Sequence, residues 1–223
     1  MNGENINYES IPMEDVQRAF EQLTRVKEGF AAKGWFAGTS GNLSLRVGGA
    51  DANPLRFVVT ASGKDKSVST PEDFLLVDEY GKPAMPTGLK PSAETLIHCE
   101  IYRLTGCGAV FHIHTVFNNL ISELYGEQGS VPISGVELIK AFNIWDEGAQ
   151  IDVPIVPNYA DIPRIAGLIE DAIRPRIPGI LLRAHGIYAW GANAFEAKKH
   201  LEAFEFLFEY VYRRELLKSS SRA

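Results

Sequence analysis

The sequence predicts an α/β fold in a single domain spanning residues 1–223. Three observations carry this reading. Helical and β-type hydrophobic spacings are mixed throughout the chain, no Pro/Gly/Ser linker or internal repeat divides it, and 223 residues suffice for one sizeable core. Ile11 to Lys33 has helical spacing at Val16, Phe20, Leu23 and Phe30, with Gly34 as its stop. Short β-type runs follow at Leu43 to Val47, Leu55 to Thr60 and Phe74 to Val77, separated by Gly, Asn, Asp and Pro clusters. Pro91-Ser92 opens a helix to Leu104, and Gly106 to Gly108 breaks it before the apolar strand Ala109-Val110-Phe111. Helices are expected at Thr115 to Leu124, Gly135 to Phe142 and Asp161 to Ile173. Strands are expected at Ile151 to Val153, Gly179 to Arg183 and Ile187 to Trp190. The last segment places Ala194, Ala197, Leu201, Phe204, Phe208 and Val211 at alternating spacings of three and four, behind the capping pair Asn193 and Glu196. Phe206, Leu207, Tyr210 and Tyr212 widen its apolar surface, which fits burial against the sheet or contact with a neighbouring subunit. Lys218 to Ala223 reads as a polar tail.

Composition excludes several classes of function. A net charge of −6, with no basic stripe interleaved with aromatics, argues against a nucleic-acid partner. The start, Met1 to Met13, is polar and acidic and lacks the parts of a leader, and no apolar run is long enough to span a bilayer, so the expected location is the cytoplasm, away from membranes. Cys99 and Cys107 fit free thiols in a reducing compartment, without metal-binding spacing.

The chemistry concentrates in Phe111-His112-Ile113-His114 and the distant Ala184-His185-Gly186. Residues two apart on a strand share a side, so His112 and His114 can present two imidazoles to one ion. His185, after the apolar run Gly179 to Leu182, would complete a His₃ set that leaves coordination open for substrate, a pattern of catalytic rather than structural metal. Such a set suits zinc but also Mn²⁺, Fe²⁺, Co²⁺ or Ni²⁺. The alternative for the bare pair is two unrelated polar residues at a strand end. Three small-residue loops suit an anion. Thr39-Ser40-Gly41-Asn42-Leu43-Ser44 precedes a strand, Thr60-Ala61-Ser62-Gly63-Lys64 follows one, and Lys90-Pro91-Ser92-Ala93-Glu94 enters a helix whose dipole favours negative charge. Lys64 and Lys90 supply positive charge, although segments of this kind are usually turns and Ser92 is a natural N-cap. His98, four residues after Glu94, reads as a coincidence of spacing, and His200 as a solvated or interface residue.

Gly41-Asn42-Leu43-Ser44, Thr60-Ala61-Ser62-Gly63, Lys90 to Glu94, His112-Ile113-His114 and Ala184-His185-Gly186, in this order, resemble the class II aldolase/adducin family over nearly the whole chain. Ala61-Ser62-Gly63-Lys64-Asp65-Lys66, Val136-Glu137-Leu138-Ile139-Lys140 and Phe195 to Glu202 are most similar to its branch that dehydrates 5-methylthioribulose 1-phosphate in methionine salvage. The resemblance implies a three-layer α/β/α fold around a central mixed, largely antiparallel sheet. It implies one Zn²⁺ per subunit on His112, His114 and His185, and a homotetramer with active sites near subunit boundaries. The sugar phosphate would meet Asn42, Thr60, Ser62, Gly63, Lys64 and Ser92. Glu137 matches the family's acid/base glutamate and would protonate the leaving C4 hydroxyl. Glu94 stands where animal relatives carry cysteine and the sugar-phosphate aldolases glutamate. It would be the base, a metal neighbour in the empty enzyme, or a charge compensating the helix dipole.

Competing readings are an aldolase or 4-epimerase acting on a sugar phosphate, and an adducin-like binding module without activity. The module is disfavoured because all three histidines and both glutamates are present. A double-stranded β-helix dioxygenase also uses H-x-H, but wants a carboxylate soon afterwards, where this chain has Asn118 and Asn119 in a segment that reads as helix.

Overall fold

The computed structural model describes residues 11–49 and 52–220. The acidic start up to residue 10 and the last three residues of the polar tail lie outside them. Eight strands form one sheet in the order β3-β2-β1-β4-β8-β7-β6-β5. They are β1 (Asn42–Arg46), β2 (Arg56–Thr60), β3 (Phe74–Asp78), β4 (Ala109–Ile113), β5 (Ser130–Ser134), β6 (Gln150–Val156), β7 (Gly179–Leu182) and β8 (Gly186–Gly191). Every neighbouring pair is antiparallel except β6 with β7. The helices are α1 (Met13–Ala32), α2 (Thr95–Thr105), α3 (Val116–Leu124), α4 (Ile162–Ala172) and α5 (Ala194–Ser220).

Strand alternation divides the core into two layers. Ala109, Phe111 and Ile113 of β4 pack in a cluster with Leu23 and Phe30 of α1, Ile121 of α3 and Leu201, Phe204 and Phe208 of α5. Val110 faces the opposite cluster, with Ile97, Ile101 and Tyr102 of α2 and Ile165 and Ile169 of α4. Helices therefore cover both faces, the α/β/α arrangement expected for the family.

Local chemistry accounts for the helix ends. α3 starts in a capping box, in which the Asn118 backbone N–H donates to Thr115 Oγ1 and the Thr115 N–H donates to Asn118 Oδ1. α4 is capped by Asp161, with Pro163 in its first turn. The Asn193 and Glu196 pair caps α5, Glu196 reaching the N–H of Ala192. Its 27 residues extend about 40 Å at the usual helical rise. The wide apolar surface of α5 is divided: Leu207 is buried, whereas Phe206 and Tyr210 are exposed. Among the described residues, no helix is long and apolar enough to cross a membrane.

Three sequence expectations differ from the structure, and one strand was not foreseen. β5 escapes the alternation test because Ser130-Val131-Pro132-Ile133-Ser134 is short and holds a proline, tolerated because β5 is an edge strand. Gly135 to Phe142 is not an α-helix. Gly135 takes φ +70°, and a 3₁₀ helix runs from Glu137 to Phe142, ended by Asn143 at φ +60°. α2 begins three residues after Ser92 because Pro91 still pairs as an extended bridge with Ala61, which leaves Glu94 as the N-cap. His200 is buried rather than solvated, its Nδ1 at 2.7 Å from the carbonyl oxygen of Trp190.

One charged contact ties α1 to the segment before β3. Lys27 Nζ lies 2.5 Å from Asp73 Oδ2, with 1% and 2% of the two side chains exposed. Asp73 also accepts the N–H and hydroxyl of Thr70, so the carboxylate is fully served. Asp73→Ala, which strands the ammonium, is expected to cost about 3–5 kcal/mol in denaturant unfolding. Lys27→Met with Asp73→Leu should recover most of that loss, and a single-variant cost below about 1 kcal/mol would rule out this role for the pair.

Candidate metal centre

The antiparallel order brings the starts of β1 and β8 and the ends of β2, β4, β6 and β7 to one end of the sheet. Register does the rest. His112 is paired with Asn42 on one side and Tyr188 on the other. Its ring stacks on Tyr188 at 3.9 Å between centroids and 8° between planes. Two glycines let the backbones close in. A Cβ at Gly41, which has φ +75°, would lie 2.6 Å from the carbonyl oxygen of His112, and one at Gly186 would lie 2.4 Å from that of Ile113 and 2.8 Å from His112 Cε1. His185 is delivered by the tight turn between β7 and β8, where Ala184 takes the left-handed φ of +51° and its N–H is held by Ser122 Oγ at 3.0 Å.

Glu94, His112, His114 and His185 each offer one ligand atom within 4.8 Å of all the others. Glu94 Oε1 lies 2.9 Å from His185 Nε2, Glu94 Oε2 lies 3.4 Å from His112 Nε2, and the Nε2 atoms of His112 and His114 are 2.8 Å apart. Two of the rings are oriented from behind. His112 Nδ1 is 2.9 Å from the carbonyl oxygen of Ile187, so its Nδ1–H donates outward and its Nε2 lone pair points into the cluster, and His185 Nδ1 is 3.2 Å from Asn158 Oδ1. Burial pushes His112 down to about 4 and His114 down to about 3, so both are neutral near pH 7. Burial also opposes ionisation of Glu94, but the field of His112 and the bonds from His185 and Asn42 outweigh it and hold the carboxyl far below the usual carboxylate range. Three imidazoles converging on a carboxylate form a donor set for a divalent cation. Glu94 and His185 keep 15% and 14% exposure, so one side stays reachable for a ligand.

A buried chain of hydrogen bonds backs Glu94. Its Oε2 accepts from Asn42 Nδ2 at 2.7 Å, and Asn42 Oδ1 then faces His98 Nε2. His98 Nδ1 is 2.7 Å from Ser44 Oγ, itself 2.8 Å from the Tyr102 hydroxyl. Burial pushes His98 down to about 3, so the ring is neutral. Because a carboxylate only accepts, each proton must point one way, Tyr102 to Ser44 to His98 to Asn42 to Glu94. His98 is therefore no ligand, and its spacing from Glu94 is the coincidence it was read as, yet it belongs to the centre's support. A second brace lies behind the histidines. Asn119 Nδ2 donates to the carbonyls of Thr115 and His185, both at 2.9 Å. Glu205, buried in α5 and pushed up by burial to about 7, accepts from Thr115 Oγ1 and Asn118 Nδ2.

The other sequence-nominated residues fare differently. Asn42 lies in the centre but is engaged with Glu94 and His98. Thr60 is buried, and its hydroxyl bonds the backbone of Leu43 in both directions, which makes it a tie between β1 and β2. Ser62 and Gly63 are exposed, Gly63 at φ +74°, on a loop joined to the α2 entry by Ser62 N–H to the carbonyl of Lys90 and Ser92 N–H to that of Thr60. Ser92 is half-buried beside Glu94, and Lys64 is ion-paired with Glu72 at 2.5 Å. Glu137 is not brought to the centre within this chain. It follows the end of β5, at the opposite end of the sheet from His112 and with β8, β7 and β6 intervening. It is 82% exposed there and paired with Lys140 at 2.6 Å.

His114→Ala should abolish tight metal binding, since a ligand goes, whereas Asn158→Ala keeps every ligand and should weaken the metal about 10–100-fold in chelator competition. Unchanged retention in His114→Ala would remove that residue from the centre.

Residues 21–212 match the class II aldolase and adducin N-terminal domain family. A methylthioribulose-1-phosphate dehydratase of Geobacillus kaustophilus (strain HTA426) is 55% identical over 205 residues, covering 92% of this chain and 96% of that protein. One of Bacillus subtilis (strain 168) is 50% identical over 90% of this chain and 95% of its own length. Among solved structures, L-fuculose-1-phosphate aldolase from Thermus thermophilus superposes with a TM-score of 0.70 at 25% identity, covering 91% of this chain and 98% of that one. With its sheet, its histidine cluster and this likeness running nearly end to end, the chain belongs to the class II aldolase and adducin family.

Proposed function

We propose that this chain is a lyase of methionine salvage that removes water from 5-methylthioribulose 1-phosphate to give 2,3-diketo-5-methylthiopentyl 1-phosphate. It would act as one catalytic domain over residues 1–223, in a cytoplasmic homotetramer with one zinc ion per subunit. The observation that carries the reaction class is the convergence of three imidazoles and an ionised Glu94 at one open end of the sheet. The dehydratase names of relatives at 50–55% identity, matched over nine-tenths of the chain, supply the substrate. Beside His114 lies a groove of about 860 Å³ whose wall includes Trp35, Val116, Phe117, Leu120 and Phe206. That wall suits the methylthio end of the substrate.

His112, His114 and His185 would hold a divalent ion, which when bound would supply Lewis acidity toward the C2 carbonyl and so acidify the hydrogen on C3. Glu94, ionised and held by Asn42, takes that proton, and the electron pair moves between C3 and C2. The C4 hydroxyl then leaves with a proton from a carboxylic acid, and the enol closes to the second ketone. Glu137 is our choice for that acid. Because it sits at the far end of its own sheet, it must serve the centre of a neighbouring copy. The phosphate is assigned to the loops carrying Ser62, Gly63 and Ser92. Thr60, bound to Leu43, contributes by placing those loops.

Incubation with methylthioribulose 1-phosphate should give chelator-sensitive diketone absorbance, and fuculose 1-phosphate should release no dihydroxyacetone phosphate; triose release would make the protein an aldolase. Glu137→Gln should retain metal and lose about 10²–10⁴ in turnover. Equal mixing of Glu137→Gln subunits with inactive His114→Ala subunits, followed by reassembly, should restore about a quarter of wild-type activity, the share of sites that pair one intact partner with the other in a symmetric ring. A mixture no more active than its parents would exclude a glutamate shared between copies.

A further inference from the structure

Lys66 is an ammonium with only 6% of its residue surface exposed, yet among the described residues no carboxylate lies within ion-pair distance of it. Its one hydrogen-bond acceptor among them is the carbonyl oxygen of Thr39, and its Nζ stands 6.0 Å from the centroid of the Phe36 ring. A buried ammonium with three donors and one neutral acceptor is costly unless a further anion arrives. The neighbouring Lys27 shows the contrast, since its charge is matched by Asp73 at 2.5 Å.

The surroundings of Lys66 point to where that anion would lie. Burial acts against its charge, and the leading influence in favour of the charge is the field of Glu94; the field of Lys66 in turn reaches His114. The ammonium is therefore coupled to the centre from the side of the two small-residue loops. Its acceptor Thr39 belongs to a loop in which residues 38, 39 and 41 have φ of +62°, +61° and +75°, the last leading straight into Asn42. The next residue, Ser40, has a buried Oγ without a hydrogen-bond partner among the described residues. The under-served ammonium thus reaches a loop beside the centre whose next residue carries an unpartnered hydroxyl.

We propose that Lys66 holds the anionic phosphate of the substrate, and that Lys64 does not. The inference rests on the sugar-phosphate reading of the centre and adds to it the group that receives the charge. In the proposed substrate the phosphate is carried by C1, next to the C2 carbonyl, so both ends of this short span must be served together. A divalent ion, the Glu94 carboxylate and a phosphate dianion leave one negative charge in the site, which Lys66 neutralises. Lys64, neutralised by Glu72 at the surface, has no charge to spare.

The test titrates the metal-loaded protein calorimetrically with inorganic phosphate and with the non-phosphorylated sugar methylthioribulose, in wild type, Lys66→Met, Lys66→Arg and Lys64→Met. Loss of one charge-assisted contact is expected to weaken phosphate about ten- to hundredfold in Lys66→Met. Lys66→Arg should recover part of it, Lys64→Met should bind like wild type, and the sugar's affinity should be the same in all four. Metal content of Lys66→Met should be unchanged, and its thermal midpoint no lower than wild type, because an unpaired buried charge has been removed. A fall in midpoint together with equal weakening of sugar and phosphate would make Lys66 a loop tie and overturn the proposal. Equal phosphate affinity in wild type and Lys66→Met would overturn it while leaving the sugar-phosphate reading intact. Absence of phosphate binding in wild type would overturn both.

Discussion

The register of β4 between β1 and β8 is the constraint on which the centre depends. Asn42, His112 and Tyr188 are neighbours across three adjacent strands only because Leu43 faces Phe111 and Ile187 faces Ile113 in the same ladder. A slip of one residue would turn His112 into the layer beneath α1 and α5 and place Phe111 or Ile113 over α2. The two apolar clusters guard against this slip, since Phe111 and Val110 are each fully buried on their proper faces. Packing of the core and placement of the ligands are thus one requirement, met by the same alternation.

The second requirement is electrostatic. The centre collects imidazoles around a single carboxylate in a region where charge is poorly solvated, and orders the surrounding dipoles so that donors end on that carboxylate. Tyr102, Ser44 and His98 spend no charge of their own, yet they fix which way Asn42 faces. The brace through Asn119 joins the exit of β4 to the turn that presents His185, so two ligands distant in sequence move as one unit. α5 reaches the same brace through Glu205, which links its long packed face to the geometry of the centre.

Legibility in the sequence followed the range of the interactions. His112 and His114 were readable because strand alternation is local, whereas helix entry marked only where Glu94 stands and its role came from the family resemblance. His185 was proposed from its apolar lead-in and the need for a third imidazole, although nothing near it shows that the turn after β7 returns to β4. The partnership of Asn42 with His98 was not readable, because it depends on β1 pairing with β4 and on α2 lying over both. β5 was missed because Pro132 interrupts its pattern, and that omission hid the direction of the chain entering Glu137. Once β5 is seen to run away from the ligand end, a glutamate that motif matching places in the active site lies at the opposite end of its own subunit. In the loop after β2 no period distinguishes Lys64 from Lys66, and burial alone separates the surface ion pair from the enclosed ammonium.

Gly41 and Gly186 contribute no atom to the cluster, yet each marks a place where a single methyl group would overlap the backbone of the histidine strand. The outline of the centre is therefore drawn partly by omissions. In mutational terms, the chain has more ways to lose its chemistry than it has chemical groups, because a substitution to alanine at either glycine would spread the strands while leaving every donor atom in the sequence. Comparison of ligand residues alone would pass such a variant as intact, although the space that made those residues into one site would already be gone.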